Sequence, residues 1–213
     1  MPANRLHLVR HGEVHNPNGI LYGRLPHFAL SERGHKMARL AAQELKAQGR
    51  PVTALIASPL LRTRESAEHI QAELGLELGI DERLIEPTNI FEGMRVSAKR
   101  ILLRPGLWFH LRNPMQPSWG EPYAKISARM IQAMDEAAAA VKSGDVVLVS
   151  HQLPIWATHL KLAGLPLAHN PRKRRCTLSS ITSFEKHDGR WVEIDYREPA
   201  AKLLRGAVDE GAV

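Results

Sequence analysis

The chain has a single cysteine, Cys176, in 213 residues. No intrachain disulfide can form, and a multi-cysteine zinc site is excluded. Aromatic residues make up only 5%, which leaves few platforms for stacking nucleobases, and no recognised nucleic-acid motif is present. No apolar run approaches the roughly eighteen residues that a membrane span needs. Near the start, Arg5, His7 and Arg10 interrupt the apolar core that a signal peptide would require. The expectation is a cytoplasmic protein with neither membrane nor nucleic acid as a partner; homo-oligomerisation is left open. Acidic residues are in deficit, 22 against 29 Lys plus Arg, for a formal charge of +7. Such a balance favours anionic partners, and a small phosphorylated substrate fits it. With 44% hydrophobic and 24% charged residues and no break in composition, the length suits one domain with a sizeable core.

What is present is organised around Leu8-Val9-Arg10-His11-Gly12-Glu13. Leu6, Leu8 and Val9 read as a short buried strand, and the polar run from Asn16 to Gly19 reads as a turn. Between them the chain delivers an imidazole, a fixed guanidinium fork and a glycine that permits close backbone approach. That combination suits an oxyanion, phosphate above all. Other stretches repeat the layout of a strand that ends in chemistry. Ser58-Pro59-Leu60-Leu61-Arg62-Thr63 follows the apolar run Val52 to Ala57, Glu86 follows another extended stretch, and His151 follows Val146 to Ser150.

On these residues the chain resembles the histidine phosphatase superfamily, also called phosphoglycerate mutase-like, whose hallmark Arg-His-Gly-Glu is seen here as Arg10 to Glu13. The resemblance runs in order from about residue 5 to about residue 185. It implies that His11 is the nucleophile and that Arg10, Arg62 and His151 bind the substrate's phosphate. Asn16, Gly23 and Arg24 would line the same pocket, although the spacing from His11 to Asn16 is one residue short. It implies a general acid at Glu86 or in the triplet Phe91-Glu92-Gly93; Glu86 is preferred, with Glu92 as structural support. Gly120-Glu121-Pro122 resembles a Gly-Glu-Ser element with its serine lost, and Gln152 stands where glycine is common. The implied activity is hydrolysis of a phosphomonoester through a phosphohistidine, with no cofactor and no metal. The alternatives are a cofactor-dependent phosphoglycerate mutase and a non-catalytic phosphate-binding protein. A zinc site of His7, His11 and His15 is disfavoured, because their equal spacing needs a helix where the pattern reads strand then loop.

The remaining segments supply scaffold. Ser31 caps an expected helix with Met37, Leu40, Ala41 and Leu45 on one face, ending at Gly49. Ser58 is expected to cap the next helix, with Pro59 at its first position and Arg62 in its first turn. Leu76 to Leu78 and Leu84 to Glu86 read as extended, Tyr123 to Val141 and Leu153 to Leu162 as helices, and Cys176 to Phe184 with Trp191 to Tyr196 as a hairpin turning at Asp188-Gly189. Alternating strands and helices imply an α/β fold, a three-layer αβα sandwich with a mostly parallel central sheet, with the candidate residues at carboxyl ends of strands. A cap insertion is expected at about 90–122, where Arg95, Lys99, Arg100, Arg104 and Arg112 accumulate with Trp108, Phe109 and Trp119. Arg95 and Arg172, the latter in the run Arg172-Lys173-Arg174-Arg175, are weak candidates for a substrate rim. The domain is expected to span 1–197, with a loosely packed tail at 198–213.

Overall fold

The computed structural model describes Ala3, residues 5–95 and residues 120–209. Most of the expected cap, including Lys99, Arg100, Arg104, Trp108, Phe109, Arg112 and Trp119, lies outside the described residues. Six strands form one sheet: β1 (Arg5–Arg10), β2 (Val52–Ala57), β3 (Leu78–Ile80), β4 (Asp145–Ser150), β5 (Ile181–His187) and β6 (Arg190–Arg197). Their order is β3-β2-β4-β1-β5-β6. The first four run parallel to one another, and the β5–β6 hairpin adds to β1 antiparallel. Among the described residues the α-helices are α1 (Glu32–Ala47), α2 (Leu61–Leu74), α3 (Tyr123–Ala140) and α4 (Gln152–Leu162).

Alternation along the central strands divides the core between two faces. Leu6, Leu8, Val146 and Leu148 pack with Met130, Ala133 and Met134 of α3 and Ile155 of α4. Val9, Val147 and Val149 point the other way, onto Ala41, Ala42 and Leu45 of α1 and Ala67 and Ile70 of α2. The result is the expected three-layer sandwich. β4 is buried along its whole length, as its near-continuous apolar run anticipates for a strand covered on both faces.

Three local expectations are corrected. The helix after β2 begins at Leu61 rather than at Pro59, and its N-cap is Leu60 with no side-chain bond; the Ser58 hydroxyl lies 2.8 Å from His151 Nε2 instead. Strand β3 starts at Leu78, and the run toward Glu86 contains a 3-10 turn, Glu82–Leu84, because Asp81 accepts from the Arg83 amide. The described part of the tail, residues 198–209, is anchored rather than loose. Ala200, Leu203, Leu204 and Ala207 join Met37 and Leu178 in a small apolar cluster, and the Val208 amide donates to Glu13 at 2.8 Å.

Candidate active site

β1 ends at Arg10, and His11 is held immediately beyond it by a bond from its amide to the Ser150 carbonyl, 3.2 Å. Gly12 follows because no side chain fits there: a Cβ would lie 2.4 Å from the Gly34 carbonyl oxygen at the start of α1, and one on Gly34 would lie 2.0 Å from the Glu13 carbonyl oxygen. The close approach expected at Gly12 is therefore by the protein's own helix. Glu13 completes the anchor, with its carboxylate accepting from Ser31 Oγ, from Arg33 and from the Val208 amide. His11 Nδ1 sits 2.7 Å from the Gly12 carbonyl oxygen. A carbonyl only accepts, so Nδ1 carries the proton and Nε2 keeps its lone pair. Burial holds the imidazole well below its usual pKa, reinforced by the Arg62 and Arg10 guanidiniums against the opposing bond to Gly12. The side chain is neutral at physiological pH.

Four further groups converge on His11. Arg62, in the first turn of α2, is 1% exposed; its Nη2 donates to the Gly23 carbonyl at 2.8 Å and its guanidinium lies over the Tyr22 ring at 4.8 Å. Burial lowers its pKa, and pushes that of the Tyr22 phenol up to about 12. Arg10 donates to the Cys176 carbonyl at 2.7 Å, and its fork grips both carboxylate oxygens of Asp209 from the tail. Burial opposes its charge, and Asp209 more than restores it. His151 lies with its ring centroid 5.2 Å from that of His11. Burial, then Arg62, hold it neutral, and its Nδ1 makes no hydrogen bond. Glu86 Oε2 is 3.7 Å from that nitrogen. Burial raises the Glu86 carboxyl to about 7, although Arg62, Arg174, Arg10 and Arg129 all pull the other way. Arg10 Nε and Arg62 Nε, like His151 Nδ1, are buried without a partner among the described residues.

The cluster thus sets a neutral imidazole with a bare lone pair among cationic donors that still have hydrogens to offer, and beside a carboxyl poised to hold or release a proton. Such an arrangement suits attack on a bound oxyanion. The structure brings together Arg10, His11, Arg62, Glu86 and His151. Arg24 stands at the edge, with its Nε bonded to the Glu86 carbonyl at 2.5 Å and its Nη2 3.7 Å from Glu121. Asn16 closes its own loop, its amide bonded at both ends to the Ile20 backbone. Glu92 Oε1 accepts from the amides of Arg24 and Asn89 and would clash with any Cβ on Gly23, at 2.2 Å; it holds the loop. Arg95 is exposed on the Asn18 carbonyl. Arg172 falls in a 3-10 turn, Pro171–Lys173, and its side chain lies outside the described residues.

Sequence reasoning misses Ser58, Arg174 and Asp209 as members of the site. A Ser-Pro pair after a strand reads as a helix cap, which hides Ser58. Arg174 carries a signal: Arg174, Cys176 and Leu178 are buried while Arg175 is exposed, a period of two that runs back into the charge cluster. Asp209 carries none. Among the described residues no cluster of His, Cys, Asp and Glu could hold a metal ion, and no helix is long and apolar enough to cross a membrane.

Comparison with known proteins agrees with this geometry. Residues 6–198 match the profile of the histidine phosphatase superfamily, branch 1. An uncharacterised protein of Mycobacterium tuberculosis is 49% identical over 92% of this chain and 97% of its own. Phosphoserine phosphatase 1 of Hydrogenobacter thermophilus is 33% identical over 77% of this chain and 78% of its own. Among solved structures, mycobacterial glucosyl-3-phosphoglycerate phosphatase superposes with a TM-score of 0.73 at 25% identity, covering 90% of this chain and 97% of that one.

Proposed function

The chain belongs to the histidine phosphatase superfamily, and from that premise we propose that it is a phosphomonoesterase acting on a small phosphorylated substrate through a phosphohistidine. The observation that carries the reading is the tautomer of His11: the Gly12 carbonyl fixes the proton on Nδ1 and leaves Nε2 bare among Arg10, Arg62 and His151. In the first step Nε2 forms a bond to phosphorus as the ester P–O bond breaks. Arg10, Arg62 and His151 stabilise the charge on the equatorial oxygens, so guanidinium groups supply the positive field. The Ser58 hydroxyl, 2.8 Å from His151 Nε2, engages that nitrogen and orients the ring, so that the partnerless Nδ1 is the one left for the substrate. Glu86 gives its proton to the leaving alcohol, then takes one from the water that attacks the phosphohistidine, releasing phosphate and restoring His11. Arg24 and Glu121 hold the Glu86 segment in place.

A relative from Erwinia tasmaniensis named a probable phosphoglycerate mutase is 30% identical over 88% of this chain, so the test includes that reading. Purified protein is incubated with p-nitrophenyl phosphate and, separately, with labelled monophosphoglycerate. Phosphate release, with acid-labile label trapped on the wild type by an alkaline quench, is expected. The label disappears and turnover falls at least about 10³-fold in His11→Ala. Exchange between the two monophosphoglycerates without phosphate release would establish the mutase instead, and neither reaction would leave a binding protein.

A further inference from the structure

The turn that presents His11 is pinned by bonds of two kinds. The His11 amide donates to the Ser150 carbonyl at 3.2 Å, the His11 carbonyl accepts from the Ser179 amide at 3.2 Å, and the Glu13 carbonyl accepts from the Ser31 amide at 2.9 Å. Each of these joins backbone to backbone, and no side chain is needed to make it. Gly12 is held otherwise. Its amide donates at 3.1 Å to the hydroxyl of Ser66, a residue of α2 that is 2% exposed. The sense of that bond is fixed by the serine's other contact. Ser66 Oγ lies 2.7 Å from the Arg62 carbonyl, which only accepts, so the single hydroxyl proton goes there and a lone pair is left for Gly12. Gly12 is also the residue whose carbonyl, 2.7 Å from Nδ1, decides where the proton of His11 sits. Packing against Gly34 requires a glycine here, and glycine is the residue whose two backbone dihedrals resist rotation least. The stiffness of this turn must therefore come from outside it.

We infer that Ser66 is a positioning residue for His11: by holding the Gly12 amide it keeps the Gly12 carbonyl aimed at Nδ1, and so keeps the lone pair of His11 on Nε2. The inference rests on the phosphatase reading and deepens it. Without the hydroxyl, the Gly12 amide would be buried and unpaired, a costly state that the turn relieves by rotating. The carbonyl then swings with it, and His11 loses the acceptor that separates its two tautomers. A proton on Nε2 would occupy the very lone pair that attacks phosphorus. Arg62 does not depend on Ser66 in the same way, because its guanidinium is held by the Gly23 carbonyl and the Tyr22 ring. Loss of Ser66 should therefore impair attack and leave the grip on phosphate.

The test reads tautomer and chemistry separately. In protein carrying isotope-labelled histidine, long-range proton–nitrogen correlation spectra distinguish the Nδ1–H form from the Nε2–H form, and the His11 signals are those missing from His11→Ala. Wild type is expected to show the Nδ1–H form alone and Ser66→Ala a mixture of both. Ser66→Thr, which keeps the hydroxyl, should restore the wild-type pattern. The pre-steady-state burst from p-nitrophenyl phosphate should slow about 10-fold in Ser66→Ala, the scale of one buried hydrogen bond. Inhibition by inorganic phosphate should stay within about threefold of wild type, as expected when binding is spared and only attack is impaired. An unchanged burst, or a slower burst with an unchanged tautomer, would overturn the proposal. So would phosphate inhibition weakened as much as the burst, the mark of a site that has merely loosened. If Ser66→Ala fails to fold, Ser66→Cys, close in size and a weaker acceptor, is read by the same measurements, with intermediate values expected. Absence of any turnover by the wild type would instead strike the phosphatase reading beneath the inference, and the spectra alone would then decide whether Ser66 holds the tautomer.

Discussion

Asp145 opens β4 and His151 follows its last residue, so one strand joins two buried polar clusters that can be compared directly. At the first, Asp145 accepts from Arg50 Nε and Nη2 at 2.6 and 2.8 Å and lies 3.4 Å from His7 Nε2, while His7 Nδ1 meets Ser183 Oγ at 2.8 Å. Donors and acceptors are matched within the protein. At the second, Arg10 Nε, Arg62 Nε, His151 Nδ1 and Arg174 Nη2 have no partner among the described residues. Buried polar groups in native proteins are nearly always paired, so three orphaned cationic or imidazole groups around His11, with Arg174 nearby, fit the proposal that a ligand completes the set there. One cluster is complete within the protein, and the other is the one proposed to take a ligand.

The sharpest way to test the unpaired end is Glu86→Gln. Protonating the leaving oxygen matters for an alkyl phosphate and little for nitrophenolate. The variant should slow alkyl phosphate hydrolysis by about 10²-fold or more, with a much smaller effect on the pre-steady-state burst from p-nitrophenyl phosphate. Burial keeps the acid form of Glu86 up to about pH 7, so wild-type alkyl phosphatase activity should decline above that pH, and the decline should vanish in the glutamine variant. Equal slowing of both esters would remove Glu86 from the role of acid.

The paired end should respond in stability instead. Burial would raise the Asp145 carboxyl, but His7 and Arg50 hold it down to about 2. A depressed carboxyl stabilises the fold above its unfolded value, near 4, and loses that contribution as pH falls through about 2. Asp145→Asn should therefore cost about 2 kcal/mol at pH 7 in urea unfolding, and the difference from wild type should shrink between pH 4 and pH 2. A difference that persists at low pH would mean that packing, not charge, is what Asp145 supplies.

The smallest effect belongs to a contact that joins the two styles. Asp209 pairs with Arg10 as a structural carboxylate would, yet on a fork assigned to phosphate. Asp209→Asn should tighten inhibition by inorganic phosphate about fivefold, the scale of one partly exposed ion pair. Weaker phosphate inhibition would show that Asp209 orients Arg10 rather than competing for it.

Much of the frame is legible because its signals are local. The apolar run of β4, the Ser31 cap of α1 and the Asp188-Gly189 turn each depend on residues within a few positions of one another, and each falls where expected. The strand-end placement of Arg10, His11 and His151 follows from those runs. What escapes is long-range. Ser58, after β2, finds His151 after the neighbouring strand β4, some ninety residues on, and a serine before proline looks the same whether it caps a helix or orients a histidine. In the Arg172 to Arg175 run, composition alone favours a solvated loop, and only the inward alternation with Cys176 and Leu178 singles out Arg174. Asp209 reaches Arg10 because the apolar cluster around Ala200 turns the tail back, and spaced small residues announce no such turn.

The place of β1 in the sheet also bears on how the molecule is made. The strand that leads into His11 is synthesised before the other five, yet it lies between β4 and β5, with Leu6 opposite both Val146 and Phe184. No hydrogen-bonded neighbour for it exists until most of the chain has left the ribosome. Such distant pairing is slow to form, since a long loop must close before any contact offsets the lost entropy. His11 is therefore made well before the rest of its pocket, and the proposed activity during refolding should return with the latest step, the docking of β1 between its two late partners.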